Sequence, residues 1–197
     1  MKTKSLLAAA FGCLLSFTAV SAGGLPGLRG ADHLGFIVPD LDEAVKFFVE
    51  VMGCEAFYKM GPFKADDDWM AVHLGVNPRA EIPQMRLVRC GYGANLEILQ
   101  YKTLDQDVRM PKNSDLGGYH FAFYVDDMDR AVTYLKSKGV KFLGEPTVMT
   151  SGPSAGETWG YFLAPWGMNL ELVSYPKGKA YEKEYKTRLW NAKDPGK

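Results

Sequence analysis

The stretch at residues 33–45, HLGFIVPDLDEAV, decides the fold, because the chain repeats it at residues 120–132 as HFAFYVDDMDRAV. In both copies a histidine opens the segment, and an Asp-x-Asp pair precedes Ala-Val. A second pair of segments follows in the same order: residues 93–101 read GANLEILQY, and residues 167–175 read GMNLELVSY. Two matches in the same order indicate a tandem duplication. We place one module at residues 32–101 and the other at residues 119–175.

Each module is predicted to be a β-α-β-β-β unit. Residues 32–38 alternate and end at Pro39, which is typical of a short strand. Asp40, with Glu43 three places later, forms a capping-box pattern, and apolar residues then recur at helical spacing until Gly53. Three more strands are expected at residues 54–60, 84–90 and 94–101. The second module repeats the layout, with a strand at 119–125, a helix at 127–138 and strands near 140–145, 158–164 and 168–175.

Two segments lie outside the repeat. Module one carries an insertion at residues 61–82, in which the aspartates at 66–68 precede a short apolar stretch. We interpret these aspartates as the first turn of a short helix, where the helix dipole favours negative charge, rather than as a metal site. The tail at residues 177–197 is highly charged. Its aromatic and apolar residues recur at helical spacing, which leaves open a C-terminal helix that packs on the body.

The composition describes an ordinary globular chain of 197 residues, 47% hydrophobic and 23% charged. Lysine and arginine number 23, as do aspartate and glutamate, so the formal net charge is zero. Nucleic-acid binders carry a basic patch or stripe, and neither the totals nor any local run of charge supplies one. We therefore expect no nucleic-acid partner; our expectation of a small-molecule substrate rests instead on the family resemblance described below.

The N-terminus has the three parts of a secretory signal peptide. Residues 1–4 are basic, residues 6–20 are apolar, and Val20, Ser21 and Ala22 form a small-residue cleavage site. An apolar run of this length falls short of the ~20 residues that span a bilayer, which argues against a membrane anchor. We expect cleavage of residues 1–22 and export to the periplasm or medium, with no membrane attachment of the mature protein.

Removal of the signal peptide leaves two cysteines, Cys54 and Cys90. An exported chain with two cysteines allows one disulfide. Cys54 begins the second predicted strand and Cys90 ends the third, so an antiparallel pair would bring the two close together. Two buried free thiols remain the alternative.

A histidine and a glutamate recur at equivalent places in the two modules. His33 and His120 lie in the first strand of each module, and Glu97 and Glu171 in the last. A single histidine or glutamate on a strand is usually structural, but both recur here. A carboxylate within an apolar run such as LELV is costly to bury unless it is paired or binds a cation. Nitrogen and carboxylate ligands suit Zn, Ni, Co, Mn or Fe, so we expect one divalent metal ion.

The layout closely resembles the vicinal oxygen chelate superfamily, which includes glyoxalase I, extradiol dioxygenases and bleomycin-resistance proteins. The resemblance covers residues 31–176 and rests on DHLGFIVPDLDEAVKFF, on the GxNLE strand of both halves and on YFLAPWGMNLELV. It implies an α+β fold in which two tandem modules form an eight-stranded, open, cupped barrel around a metal site. It also implies that His33, Glu97, His120 and Glu171 are the ligands. The sequence leaves open whether the cup forms within one chain or across a homodimer.

Strand alternation predicts which side chains share a wall with these ligands, because residues two apart face the same side. The predicted pocket residues are Ile37, Asn95, Leu99, Tyr101, Ala122, Tyr124, Asn169, Val173 and Tyr175. The two asparagines have an equally good alternative as hairpin residues.

The resemblance leaves three reaction classes open. In the lyase and isomerase branch, the metal chelates two substrate oxygens and one liganding glutamate removes a proton beside a carbonyl; Glu171 is expected to be that base, with Glu97 as the alternative. In the extradiol dioxygenase branch, His33, His120 and Glu171 would hold the metal. A binding or resistance protein comes third, since it does not need four ligands. Glyoxalase I itself is disfavoured, because Ile37 and Tyr101 replace its expected Arg and Asn.

Overall fold

The computed structural model describes residues 24–185 and 188–196. Residues 24–30 form a unit of their own without helix or strand, and the compact unit begins at Ala31. The predicted signal peptide, residues 1–22, lies outside the described residues. Across the two described ranges, no helix has both the length and the apolar character needed to cross a bilayer.

The two modules follow the predicted order of elements. Module one contains β1 (His33–Ile37), α1 (Leu41–Lys46) continued by a π-helical turn (Phe47–Val51), β2 (Glu55–Met60), α2 (Trp69–Leu74), β3 (Glu81–Arg89) and β4 (Asn95–Lys102). Module two contains β5 (Phe121–Tyr124), α3 (Met128–Ser137), β6 (Lys141–Phe142), β7 (Thr147–Val148), β8 (Thr158–Leu163) and β9 (Asn169–Ser174). The prediction of an α+β fold with tandem modules is confirmed. In the tail, the structure has a 3-10 turn at Ala180–Lys183 in the place where the sequence left open a longer helix.

The strands form two sheets of the same topology. Module one has the order β1-β4-β3-β2, and module two the order β5-β9-β8-β6, with β7 paired to β8. In both modules the first strand runs parallel to the last, β1 with β4 and β5 with β9. Each sheet therefore brings the first and last strands of its module side by side. The first strand of each module forms an outer edge of its sheet. The cup expected from the resemblance is therefore present as two separate sheets, one from each module.

Both predicted helices begin at an aspartate cap. The carboxylate of Asp40 accepts a hydrogen bond from the Glu43 amide at 2.9 Å, and that of Asp127 accepts one from the Arg130 amide at 3.0 Å. Each cap satisfies an amide that the helix itself leaves without a partner. The capping signal in the repeated segment thus fixes the start of both helices.

Alternation along the strands separates a core face from an outer face. The side chains of Leu96 and Ile98 in β4 and of Leu170 and Leu172 in β9 are buried. They pack in one core that also receives Phe48 and the residues of α3. The odd-numbered residues between them, which include both repeated glutamates, are only partly buried. The predicted ligands therefore lie on the face turned away from the shared core.

A second, smaller core joins the insertion to the outer face of module one. Met70 of α2 is fully buried, and Leu87, Leu99 and Tyr101 pack against the cluster to which it belongs. Helix α2 starts directly after the aspartates, as the sequence predicts, and its first residue is Trp69. The insertion thus covers part of the outer face of module one.

Cys54 and Cys90 form a disulfide in this structure, with their Cα atoms 4.4 Å apart. Cys54 precedes β2 and Cys90 follows β3, and these two strands pair antiparallel. The bond therefore closes the end of that strand pair.

Candidate metal centre

The first half of the candidate site is built from β1 and β4. The Nε2 atom of His33 lies 3.5 Å from Oε2 of Glu97. Parallel pairing sets Gly35 opposite Glu97, and a Cβ added at Gly35 would meet the glutamate oxygen at 3.3 Å. The glycine between the histidine and the pocket wall thus leaves room for the carboxylate to reach His33.

Asp32 orients the imidazole of His33. Its Oδ2 atom lies 2.7 Å from Nδ1 of the ring. This hydrogen bond is the main cause that raises the pKa of His33; burial opposes it, and the charges of Glu97 and Asp32 add to the rise. With a proton held on Nδ1, Nε2 is free to bind a cation, which is the usual arrangement around metal-binding histidines. Sequence analysis missed Asp32, although a carboxylate directly before a candidate ligand was a usable signal.

The second half of the site repeats this pair in module two. The Nε2 atom of His120 lies 3.4 Å from Oε2 of Glu171. Tyr161 stands opposite Glu171 in the antiparallel pair of β8 and β9. Its hydroxyl is 3.4 Å from the same imidazole nitrogen. Tyr161 was also missed from the sequence, because its place follows from the register of two strands and not from a motif.

The two glutamates differ in burial. The side chain of Glu171 is 12% exposed, whereas that of Glu97 is 26% exposed. Burial raises the pKa of Glu171 above its ordinary value, and the charge of Glu157 adds to this, while His120 and Lys179 oppose it. A carboxyl with a raised pKa takes up protons more readily, so Glu171 is the better placed of the two to act as a base.

Each His–Glu pair fits a shared cation. An imidazole nitrogen whose proton is on Nδ1 and a carboxylate oxygen are both acceptors, so their approach requires either a protonated histidine or a positive ion between them. Two ligands held ~2.1 Å from one ion in tetrahedral geometry lie about 3.4 Å apart. The separations of 3.5 Å and 3.4 Å in the two modules match that spacing.

The structure brings the four predicted ligands together as two separate His–Glu pairs. Across residues 24–185 and 188–196, no group of three or more His, Cys, Asp or Glu side chains converges on a point that could hold an ion. His33 with Glu97, and His120 with Glu171, are therefore two half-sites within the chain. The four-ligand centre remains a prediction.

The predicted pocket residues are distributed over several places. Ile37, Tyr101 and Asn169 line a cavity of about 600 Å³, together with other residues of β1 and residues 106–111. The side-chain amide of Asn95 donates to the backbone carbonyl of Asp32 at 3.3 Å. Leu99 and Tyr101 pack against the insertion.

The remaining predicted pocket residues lie on the outer face of module two. Ala122 stands opposite Glu171 in the parallel pair of β5 and β9. The ring centroids of Tyr124 and Tyr175 are 4.9 Å apart. Val173 stands opposite Trp159. The wall beside Glu171 is therefore largely aromatic.

Tandem β-α-β-β-β modules that each present a histidine and a glutamate on or beside the first and last strands define one class of fold. The chain belongs to the glyoxalase/bleomycin resistance protein/dioxygenase superfamily, whose family model matches residues 32–156. A curated relative from an Actinomyces species, a 2-epi-5-epi-valiolone epimerase, is 43% identical over 168 residues, which is 85% of this chain and 91% of the relative. That relative is an epimerase, which is a kind of isomerase.

Solved structures show the same fold. A glyoxalase family protein from Bacillus cereus has a TM-score of 0.59 at 21% identity and covers 79% of this chain and 98% of its own. A Leishmania major glyoxalase I, described as trypanothione-dependent, has a TM-score of 0.51 at 19% identity and covers 80% and 93%. These likenesses establish architecture and say nothing of the substrate of this chain.

Proposed function

We propose that this protein is an epimerase that inverts a carbon beside the carbonyl of a hydroxylated ketone of the valiolone type. The observation that carries the proposal is the pairing of a histidine with a glutamate at the same place in both modules. The identity with an epimerase over most of both chains supports the reaction type. A carbon that bears a hydroxyl beside a ketone offers two neighbouring oxygens and an acidic hydrogen, which suits the predicted lyase and isomerase branch.

In this proposal Glu171 removes the proton from the reacting carbon. The carboxylate is partly desolvated, and its raised pKa favours proton uptake. A divalent cation held by His33, Glu97, His120 and Glu171 would polarise the ketone oxygen as a Lewis acid and so make that proton more acidic. Tyr161, whose pKa is raised by burial and by Glu171, stays protonated and keeps a donor beside the carbonyl.

Inversion also requires a group on the opposite face of the substrate. Glu97, the repeat equivalent of Glu171, is proposed to return a proton there. After one turnover Glu171 holds the proton that it removed and Glu97 has lost one, so exchange with water restores both. Two carboxylates on either side of one carbon are sufficient for an inversion that needs no redox cofactor.

We further propose that the working form is a homodimer in which His33 and Glu97 of one chain face His120 and Glu171 of the other. Two features support this. The half-sites do not converge within the described part of one chain, and β1 and β5, which carry or adjoin the histidines, are both outer edges of their sheets. An edge strand offers unpaired backbone groups to a second chain. Such a dimer would complete two cups of eight main strands each.

The activity is tested with 2-epi-5-epi-valiolone in deuterated water. The expected product is its epimer, with one deuterium at the inverted carbon, because the returning proton comes from a group in exchange with solvent. Oxygen consumption with a catechol panel, without deuterium uptake into the ketone, would replace the epimerase by the dioxygenase alternative. Binding of either compound without turnover would favour the binding-protein alternative.

We also propose that the protein is exported after cleavage behind Ala22. The disulfide between Cys54 and Cys90 supports an oxidising compartment. Mass spectrometry of protein isolated from the periplasm or medium of its host should give a mature N-terminus at residue 23. Intact chains with residues 1–22, recovered from the cytoplasm alone, would contradict export.

A further inference from the structure

We infer that Lys179 and Glu157 recognise hydroxyl groups of the substrate, on module two alone. This inference rests on the proposed function, since it names how a polyhydroxylated ketone would be held beside Glu171. The two side chains form an ion pair, with Nζ of Lys179 3.4 Å from Oε1 of Glu157. They are 17% and 13% exposed, respectively.

The register of the sheet places this pair on the same face as Glu171. Tyr161 stands opposite Glu171, and Trp159 opposite Val173. One further step of the same alternation puts Glu157 opposite Tyr175. Nζ of Lys179 lies 4.3 Å from the ring centroid of Tyr175, so the ammonium group is on this face as well.

The separation along the strand suits a small ring. Glu171 and Tyr175 are four residues apart, which is about 13 Å of strand. The ion pair and the proposed base thus lie on one face of the sheet, at the two ends of a span that a substituted ring and the two long side chains can bridge.

The tail fixes Lys179 in position before any ligand binds. The backbone amide of Lys179 donates to Glu182 at 3.0 Å. The next two amides, of Ala180 and Tyr181, donate to carbonyls of the loop before β8 at 2.9 Å each. A cation held in this way loses little freedom on binding, which favours affinity.

The chemistry of this face matches a polyol. A lysine ammonium only donates hydrogen bonds and a carboxylate only accepts them, so the pair can satisfy a hydroxyl that does both. Hydrogen bonds to charged groups are stronger than those between neutral groups. Trp159, Tyr161 and Tyr175 add flat apolar walls for the carbon–hydrogen faces of a ring.

Module one keeps Tyr101 as the match of Tyr175 but lacks the other parts of this arrangement. The positions that match Tyr161, Trp159 and Glu157 hold Leu87, Met85 and Pro83, and the residue that matches Lys179 is Asp105. The first two of these aliphatic side chains pack against the insertion instead. The two modules thus share the histidine and the glutamate but differ in the side chains around the glutamate. This difference indicates that hydroxyl recognition belongs to module two.

The alternative is that this ion pair only holds the tail in place. Removing either partner of a buried pair is destabilising, so a loss of activity alone would not distinguish this role from substrate recognition. The experiment separates the two roles with two substrates. 2-Epi-5-epi-valiolone carries several hydroxyl groups, whereas 2-hydroxycyclohexanone carries only the one beside its ketone. Deuterium uptake from solvent gives kcat and KM for both with the full-length protein, Lys179→Met, Glu157→Gln and the exposed control Lys177→Met.

The expected result for Lys179→Met is a loss of about 10- to 100-fold in kcat/KM with the valiolone substrate, chiefly through KM. The loss with 2-hydroxycyclohexanone, which lacks the other hydroxyl groups, should be much smaller. Glu157→Gln should show the same selectivity, Lys179→Arg should recover part of the loss, and Lys177→Met should match the unmodified protein with both substrates.

An equal loss with both substrates, or no loss with either, would overturn recognition by this pair while leaving the epimerase proposal intact. Failure of the unmodified protein to turn over either ketone would instead overturn the proposed function, and the recognition with it. Thermal melts of each variant identify a loss that comes from loosening of the tail.

Discussion

At the scale of single residues, Glu97 and Glu171 are equivalent in sequence but not in surroundings. Glu171 is the more buried, it faces Tyr161, and its pKa is raised by burial. Glu97 faces Leu87. Under the proposed function the two glutamates therefore share a ligand role, and their different neighbours give them two different chemical roles.

Glu171→Gln is expected to lower turnover by at least ~100-fold, because an amide cannot take the proton. Glu97→Gln should also stop inversion, yet it should still allow Glu171 to remove and return the proton on one face. Recovered 2-epi-5-epi-valiolone would then carry deuterium with Glu97→Gln and none with Glu171→Gln, as read by NMR. The reverse pattern would exchange the two assignments.

Asp32→Asn should weaken binding of zinc by about 10- to 100-fold, since the carboxylate that orients the His33 ring is lost. Calorimetric titration of the protein with zinc measures the change. Asp42→Asn, at an exposed aspartate in the first turn of α1, is the matched control and should bind as the unmodified protein does. Equal affinity in both variants would remove Asp32 from the candidate centre.

Repetition in the sequence was sufficient to single out His33, His120 and the two glutamates, and the structure places each histidine beside its glutamate; that all four bind one metal ion stays a prediction. It was not sufficient for Tyr161, whose place depends on the pairing of β8 with β9. Lys179 was beyond it as well, because the tail must first fold back onto the loop before β8. Contacts that depend on register or on a returning segment leave no spacing pattern in one chain.

At the scale of the elements, strands and helices were largely predictable, since alternation, the aspartate caps and the glycine stops all occur in sequence. The differences fall where tertiary packing decides. The helix after Asp40 changes to a π-helical turn at Phe47–Val51, where Phe47 and Phe48 both enter the shared core. The strand expected near 140–145 is shortened to β6, and β7 follows beyond the predicted range; the two pair with different parts of β8.

The two caps give a prediction at this scale. Asp40→Ala and Asp127→Ala should each lower the free energy of unfolding by about 1 kcal/mol, because each removes the partner of a first-turn amide. Denaturant unfolding measures the loss. Asp129→Ala, one exposed position inside α3, controls for the removal of charge alone, and an equal loss there would contradict a capping effect.

The disulfide between Cys54 and Cys90 gives a second prediction at the scale of the elements. Protein isolated from an oxidising compartment and unfolded without reductant should show no free thiol at Cys54 or Cys90, because both sulfurs are bonded. The same titration after reduction should give two thiols per chain. Two thiols before reduction would restore the alternative of buried free cysteines.

At the scale of the whole molecule, a centre shared between two chains and a centre within one chain predict different results when damaged variants are mixed. One variant carries His33→Ala with Glu97→Ala, and the other carries His120→Ala with Glu171→Ala. Each alone should be inactive. In a dimer of the two, one cup receives both damaged halves and the other receives both intact halves, so mixing after joint refolding should restore up to about a quarter of the activity, given random pairing of chains and one intact cup in half of the dimers.

Activity that stays absent in the refolded mixture, with mixed dimers detected by mass spectrometry, would place the centre within one chain. A monomer by light scattering that is fully active would do the same.

The insertion that packs on module one has a consequence for the history of the fold. After a duplication both concave faces start out equal, and either is free to change its ligand. Here Met70 and its neighbours pack on the face of module one, so the face of module two is the one where substitutions are less constrained by packing. The symmetry of the duplication survives in the repeated histidines and glutamates. Under the proposed function, mutations on the module two wall alone could change which hydroxylated ketone is accepted and leave the proposed metal ligands intact.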